Sequence, residues 1–180
     1  AGTVIQKLTQ VPNMPEKIVL QDHFSVFSDL SYFACNKIFR KELFETKRFK
    51  RNIHFEDIQL IPQLLLNCTV IAQTQNYHYQ YLERKDSITK THTDKGLDIL
   101  RAADDVAAAF ANSQYSQHEK ELKNFKILEG IYTYLAYLAF VKDGETYRKM
   151  SQELKIFIQK NNISTFDILS YQRFGRNYLL

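Results

Sequence analysis

From Lys95 to Asn161 almost every residue reads as helix, with breaks only at Asn112-Ser113, Asp143-Gly144 and Asn161-Asn162. The breaks leave an Ala-rich segment over Gly96 to Asn112, a second over Glu119 to Val141 and a third over Glu145 to Asn161. Ser164 is placed to cap a shorter helix running towards Tyr171. Leu128, Ile131, Leu135 and Leu138 recur at helical spacing, so these segments are predicted to pack on one another. The stretch Ile131 to Phe140 is apolar nearly all round, which requires burial in a core or against a partner. A tail of this kind dictates a helix-dominated fold.

The first half reads differently. Pro12, Asn13 and Pro15 mark a connector that becomes extended at Lys17 to Leu20. Asp22 can cap a short helix through Leu30, and Tyr32 to Cys35 reads as a buried strand or turn. Ile58, Ile61, Leu64 and Leu65 predict a helix over His54 to Leu66, bent by Pro62. Thr69 to Gln73 is a β-branched strand signal. Tyr77, Tyr79 and Tyr81 alternate with His78 and Gln80, the period of a half-buried strand with two of the three tyrosines in the core. Residues 1–93 are therefore read as a small α/β unit with a few short strands, and residues 94–180 as a mainly helical appendage.

The composition fits a globular chain: 44% hydrophobic and 24% charged residues. A net charge of +4 permits an anionic partner but falls short of a dedicated nucleic-acid binder, so no nucleic acid is expected. Cys35 and Cys68 make neither a disulfide framework nor a zinc pattern, and read as reduced, buried residues of a cytosolic protein. The longest apolar run, Gly130 to Val141, is shorter than the roughly 20 residues of a membrane span. Ala1 to Leu20 lacks the basic start and apolar run of a signal peptide. With five glycines in all, no phosphate loop or dinucleotide fingerprint is present. The opening Ala1-Gly2-Thr3-Val4-Ile5, without Met, suggests a piece of a longer polypeptide.

Chemistry concentrates at Glu56-Asp57, which opens the apolar-periodic stretch. One carboxylate there could take a proton from an attacking hydroxyl. The plain alternative is that both favour the positive end of a helix, worth ~0.3–1 kcal/mol each. Upstream, Lys37, Arg40, Lys41, Lys47, Arg48, Lys50 and Arg51 form a basic stretch that could attract a nucleotide diphosphate or an anionic membrane face. Phe39, Phe44 and Phe49 within it are spaced for anchoring to a core rather than for stacking on bases. No histidine has a carboxylate partner at metal-ligand spacing, and His92 is the one most exposed to a cation.

The order of these segments resembles the second half of a family-2 glycosyltransferase, the inverting, nucleotide-sugar-dependent type with a GT-A fold. Asn36-Lys37-Ile38-Phe39 followed by Arg40-Lys41-Glu42-Leu43-Phe44 carries the first part of the likeness. Phe55-Glu56-Asp57 carries the second, and Tyr79, Tyr81, Arg84 and Ser87-Ile88 the third; together they span residues of about 17 to 90. The resemblance implies that Asp57 is the base that deprotonates the acceptor hydroxyl and that Glu56 orients the acceptor. It implies that Asn36 and Lys37 line the floor of the site, and that Arg84 and Ser87 approach the donor diphosphate. Where many relatives have Gly before Ser-Ile, this chain has Asp86.

The likeness also implies a nucleotide-sugar donor, a glycan acceptor and a divalent cation (Mg or Mn) held mainly by an Asp-x-Asp strand in a donor-binding half that this chain does not contain. The chain alone is then expected to be an inactive acceptor-side fragment of a cytoplasmic enzyme. A peripheral place on the inner membrane face and self-association through the C-terminal helices are compatible with that expectation. A different class of function, a non-catalytic helical interaction module, is supported by the aromatic stretch Ile131 to Phe140.

Overall fold

The computed structural model describes residues 11, 13–80 and 92–171. Strand β1 (Lys17–Val19) pairs antiparallel with β2 (Val70–Ala72), Ile18 opposite Ile71. Ile18 is fully buried between exposed Lys17 and Val19, the alternation of a sheet with one covered face. The Gln73 amide group ties the connector down by donating to the carbonyls of Val11 at 3.0 Å and Met14 at 2.8 Å.

Helix α1 (Val26–Asp29) is shorter than Asp22 suggested, because tight turns onto the Val19 carbonyl occupy the chain through His23. Its Phe27 and the preceding Phe24 stack at 5.2 Å and meet Phe110, Tyr115 and Phe125. Helix α2 (Glu56–Leu65) runs with Pro62 inside it and packs along α3 (Leu97–Ala111). The second predicted segment becomes α4 (Glu119–Phe125), a π-helical stretch Lys126–Thr133 and α5 (Tyr134–Leu138). Helix α6 (Gly144–Lys160) comes next, and α7 (Thr165–Leu169) begins with the capping box of Ser164 and Asp167.

Among the described residues helices dominate, with two short antiparallel strands. One hydrophobic core runs through the change of composition near residue 93, joining Ile18, Phe27 and Leu64 to Val106, Phe125 and Met150. Tyr115 donates to the Cys68 carbonyl at 2.7 Å, and Tyr134 to that of Met150 at 2.9 Å. Gly130 lets Phe157 close in: a Cβ there would lie 2.6 Å from the ring. Among the described residues no helix is long and apolar enough to cross a membrane.

Several sequence expectations are corrected. Leu135 is 42% exposed, while Leu128, Ile131 and Leu138 are buried. The buried residues Ile127, Ile131, Tyr134 and Leu138 keep helical spacing, and Tyr134 takes the inward place next to Leu135. Tyr77 and Tyr79 are exposed and not in a strand, because β2 ends at Ala72 and its partner β1 extends no further. Two core tyrosines in that run are therefore excluded; Tyr81 lies outside the described residues. Cys35 is exposed and Cys68 only half-buried, and both are free thiols.

Candidate functional site

Phe55 immediately precedes Glu56-Asp57 and has φ 61° and ψ 35°, the left-handed region. The other non-glycine residues described with positive φ are Asn52 and Asn162, a type that tolerates it. A phenylalanine does not, and such a backbone costs of order 1–3 kcal/mol and persists only where its surroundings impose it. Here they do. The His54 backbone N–H donates to Asp98 Oδ2 at 3.0 Å, and the Phe55 carbonyl accepts from Gln59 N–H at 3.2 Å. The Phe55 ring meets Tyr137 edge-on, 5.6 Å between centroids.

The turn so held presents the two carboxylates differently. Glu56 is exposed, whereas Asp57 is half-buried and its Oδ1 accepts from the Ile58 N–H at 2.8 Å. Burial raises the Asp57 pKa above the usual carboxylate value, and the charge of Glu56 adds to the rise. The Ile58 N–H and the Lys37 ammonium oppose it. A carboxylate of this kind is a stronger base than a solvated one.

Lys37 answers from the loop after α1. Its ammonium donates to the Ser31 carbonyl at 2.5 Å, the Phe33 carbonyl at 2.8 Å and Asn36 Oδ1 at 2.8 Å. An ammonium has three N–H donors, so these bonds use its full set. Asn36 and Lys37 thus bind each other and brace the 31–37 turn; acting as a ligand would require Lys37 to release one of those bonds. Burial lowers the Lys37 pKa to about 8, against the charges of Cys35 and Asp57, which raise it. The Asp57 and Lys37 charges therefore act on one another across the two segments.

Two residues of the basic stretch serve as ties, while Arg40, Lys41, Arg48 and Arg51 are exposed. Lys47 donates to Gln63 Oε1 at 3.0 Å, and Lys50 meets Asp105 at 3.1 Å. Phe39 and Phe44 are half-buried and meet edge-to-face at 5.7 Å, so they anchor to the core as their spacing predicts. Phe49 is exposed. Arg84 and Ser87 lie outside the described residues. The His92 ring packs on Tyr137 at 4.7 Å and on Phe140 at 5.1 Å. Among the described residues no group of three or more His, Cys, Asp or Glu is placed to hold a metal.

Sequence reasoning singled out Glu56, Asp57, Asn36 and Lys37 as candidates; it did not foresee the contacts of Asp98 with His54 and of Tyr137 with Phe55 that hold the helix start. The aromatic density of Ile131 to Phe140 was the available signal for Tyr137. Compared with protein-family models, curated proteins and solved structures, the chain gives no match.

Proposed function

We propose that this chain is the acceptor-side part of an inverting, nucleotide-sugar-dependent glycosyltransferase of the GT-A type, acting on a glycan acceptor in the cytoplasm. The observation that carries the reading is the half-buried Asp57 at a strained helix start, its basicity raised and Lys37 nearby. The ordered likeness of Asn36-Lys37, Phe55-Glu56-Asp57 and Arg84 to that family supplies the reaction class.

On this reading Asp57 takes the proton of an acceptor hydroxyl as its oxygen attacks the anomeric carbon. The bond from that carbon to the nucleoside diphosphate breaks, and the diphosphate leaves with the electron pair. Oδ1 is already held by the Ile58 N–H, so Oδ2 is the oxygen that receives the proton. Arg84 neutralises charge on the departing diphosphate. The divalent cation belongs to the donor-binding part of the enzyme.

The test is Asp57→Asn in the complete protein. Transfer is expected to be abolished with donor binding nearly intact; wild-type turnover would overturn the assignment.

A second reading, a non-catalytic interaction module, rests on the exposed Leu135 and Phe140. It predicts a mass in solution that rises with concentration.

A further inference from the structure

Residues 33–51 carry seven basic side chains against two acidic ones, a balance of +5 in a chain whose total is +4. All the other residues together are therefore near neutral, at −1. Lys37, Lys47 and Lys50 direct their ammonium groups inward, at carbonyls, Gln63 and Asp105. Arg40, Lys41 and Arg51 are exposed and have no ion-pair partner among the described residues. Arg48 is exposed too, and donates to the neutral Lys47 carbonyl at 2.9 Å.

The same segment exposes large apolar side chains. Nothing covers Ile38, which is 102% exposed, and Phe33 and Phe49 are 61% and 43% exposed. Their side of the loop is fixed by what lies on the other. Phe39, Leu43 and Phe44 are half-buried against the core, and ring contacts at 5.7 and 6.4 Å draw Phe39, Phe44 and Phe49 together. The Lys37 ammonium bonds the Phe33 carbonyl at 2.8 Å and closes the turn between Phe33 and Ile38. Ile38, Arg40 and Lys41, the exposed neighbours of Phe39, are left on the solvent side.

We propose that this basic, apolar-tipped loop docks on an anionic lipid surface. Ile38 and Phe33 enter the acyl boundary, and Arg40, Lys41, Arg48 and Arg51 meet the headgroup phosphates. A bilayer face offers both phases in that order, anionic headgroups above hydrocarbon. A side chain with nothing around it marks a protrusion, and a protrusion enters a deformable layer without a matching pocket. Long Lys and Arg stems keep their charges at the headgroups while apolar neighbours sit deeper. A nucleic acid supplies phosphates but no apolar phase for an isoleucine, and Phe39 and Phe44 meet each other edge-on instead of offering free faces to bases. An acidic protein would need a pocket shaped to each of Phe33 and Ile38. The docking does not depend on the role assigned to Asp57.

Vesicle sedimentation with the full chain tests it, comparing phosphatidylcholine alone with phosphatidylcholine holding about one-third phosphatidylglycerol. Binding is expected to the anionic vesicles only, and to fall between about 0.1 M and about 0.5 M salt. Arg40→Gln with Lys41→Gln is expected to weaken it about tenfold to thirtyfold, and Ile38→Ser about tenfold. Both variants alter exposed side chains and should keep the wild-type melting curve. Lys120→Gln with Lys155→Gln removes the same charge from exposed positions elsewhere and should bind as wild type. No binding to anionic vesicles, or equal binding to both kinds, overturns the proposal. So does a loss in the Lys120 and Lys155 variant as large as that in the Arg40 and Lys41 variant, or wild-type binding by Ile38→Ser. Capture of a single-stranded oligonucleotide or of polyglutamate by a chain that leaves the vesicles unbound overturns it as well.

Discussion

Asp98, the second residue of α3, reaches back to the segment before α2 and accepts the His54 backbone N–H on Oδ2 at 3.0 Å. Its Oδ1 meets Arg101 at 2.8 Å, and the residue is 8% exposed. The helical half thereby fixes the backbone that aims Glu56 and Asp57. Asp98→Ala leaves a half-buried N–H without its acceptor, at a cost of about 1–3 kcal/mol in unfolding free energy. Asp98→Asn keeps an oxygen for His54 and loses only the charge on exposed Arg101, worth ~0–1 kcal/mol. Urea unfolding should order the chains wild type, Asn, Ala; equal losses would mean that the His54 bond contributes nothing.

The glycines separate packing from propensity. Gly96→Ala would place a Cβ 2.4 Å from the Tyr137 ring and 2.6 Å from Met150 Cε. Gly130→Ala would meet Phe157 at 2.6 Å. Overpacking of this kind costs about 1–3 kcal/mol, more than the ~1 kcal/mol that alanine brings to a helix. Both should lower the thermal midpoint. At Gly144, the first residue of α6, a Cβ meets nothing within 4 Å. Gly144→Ala should be neutral or stabilising by roughly 0.4–1 kcal/mol. A destabilised Gly144→Ala with unaffected Gly96→Ala would contradict the packing described.

The helical half was legible because its stops and starts are local chemistry. Asn112 ends α3 with its amide donating to the Ala108 carbonyl, Asp143 begins α6 by accepting the Thr146 N–H, and Ser164 caps α7 with the hydroxyl that its position suggested. The strands were legible as β-branched runs, but the pairing of Ile18 with Ile71 depends on the core that both enter. Leu135 was misplaced because its neighbour Tyr134 takes the inward position, where its hydroxyl donates to the Met150 carbonyl. Glu56 and Asp57 announced a helix start. Nothing local could announce that a phenylalanine before them is left-handed, since that conformation is imposed by Asp98 and Tyr137 from far along the chain.

Lys37 should make stability rise with pH in a window below the phenols. Its folded pKa is lowered to about 8, so above that pH the folded side chain has lost a proton that the unfolded one keeps until about 10.4. The unfolded state then binds more protons, and unfolding free energy climbs as pH rises. Above about pH 10 the trend reverses, because Tyr115 and Tyr134 have raised pKa values and only the unfolded phenols ionise. Burial pushes up the pKa of the Cys68 thiol, which opposes the rise once the unfolded thiol ionises. Between about pH 7 and about pH 9.5, urea unfolding should therefore show a change in unfolding free energy more positive in wild type than in Lys37→Met. The same change in both would show that Lys37 is not the group responsible.

In the complete protein the acid limb of kcat/KM should report Asp57. A base works only when deprotonated, so the rate falls as pH drops through its pKa in the free enzyme. Burial and Glu56 raise that pKa, which moves the limb to higher pH than an ordinary aspartate would give. The two charged neighbours then predict opposite movements. Glu56→Gln removes a negative charge that favours the protonated form, and the limb moves to lower pH. Lys37→Met removes a positive charge that favours the carboxylate, and the limb moves to higher pH, while Lys37→Arg keeps the charge and leaves it in place. These shifts stand apart from any change in the plateau rate, which a merely displaced turn would also lower. A limb that stays fixed in both charge-removing variants would mean that the titrating base is not Asp57.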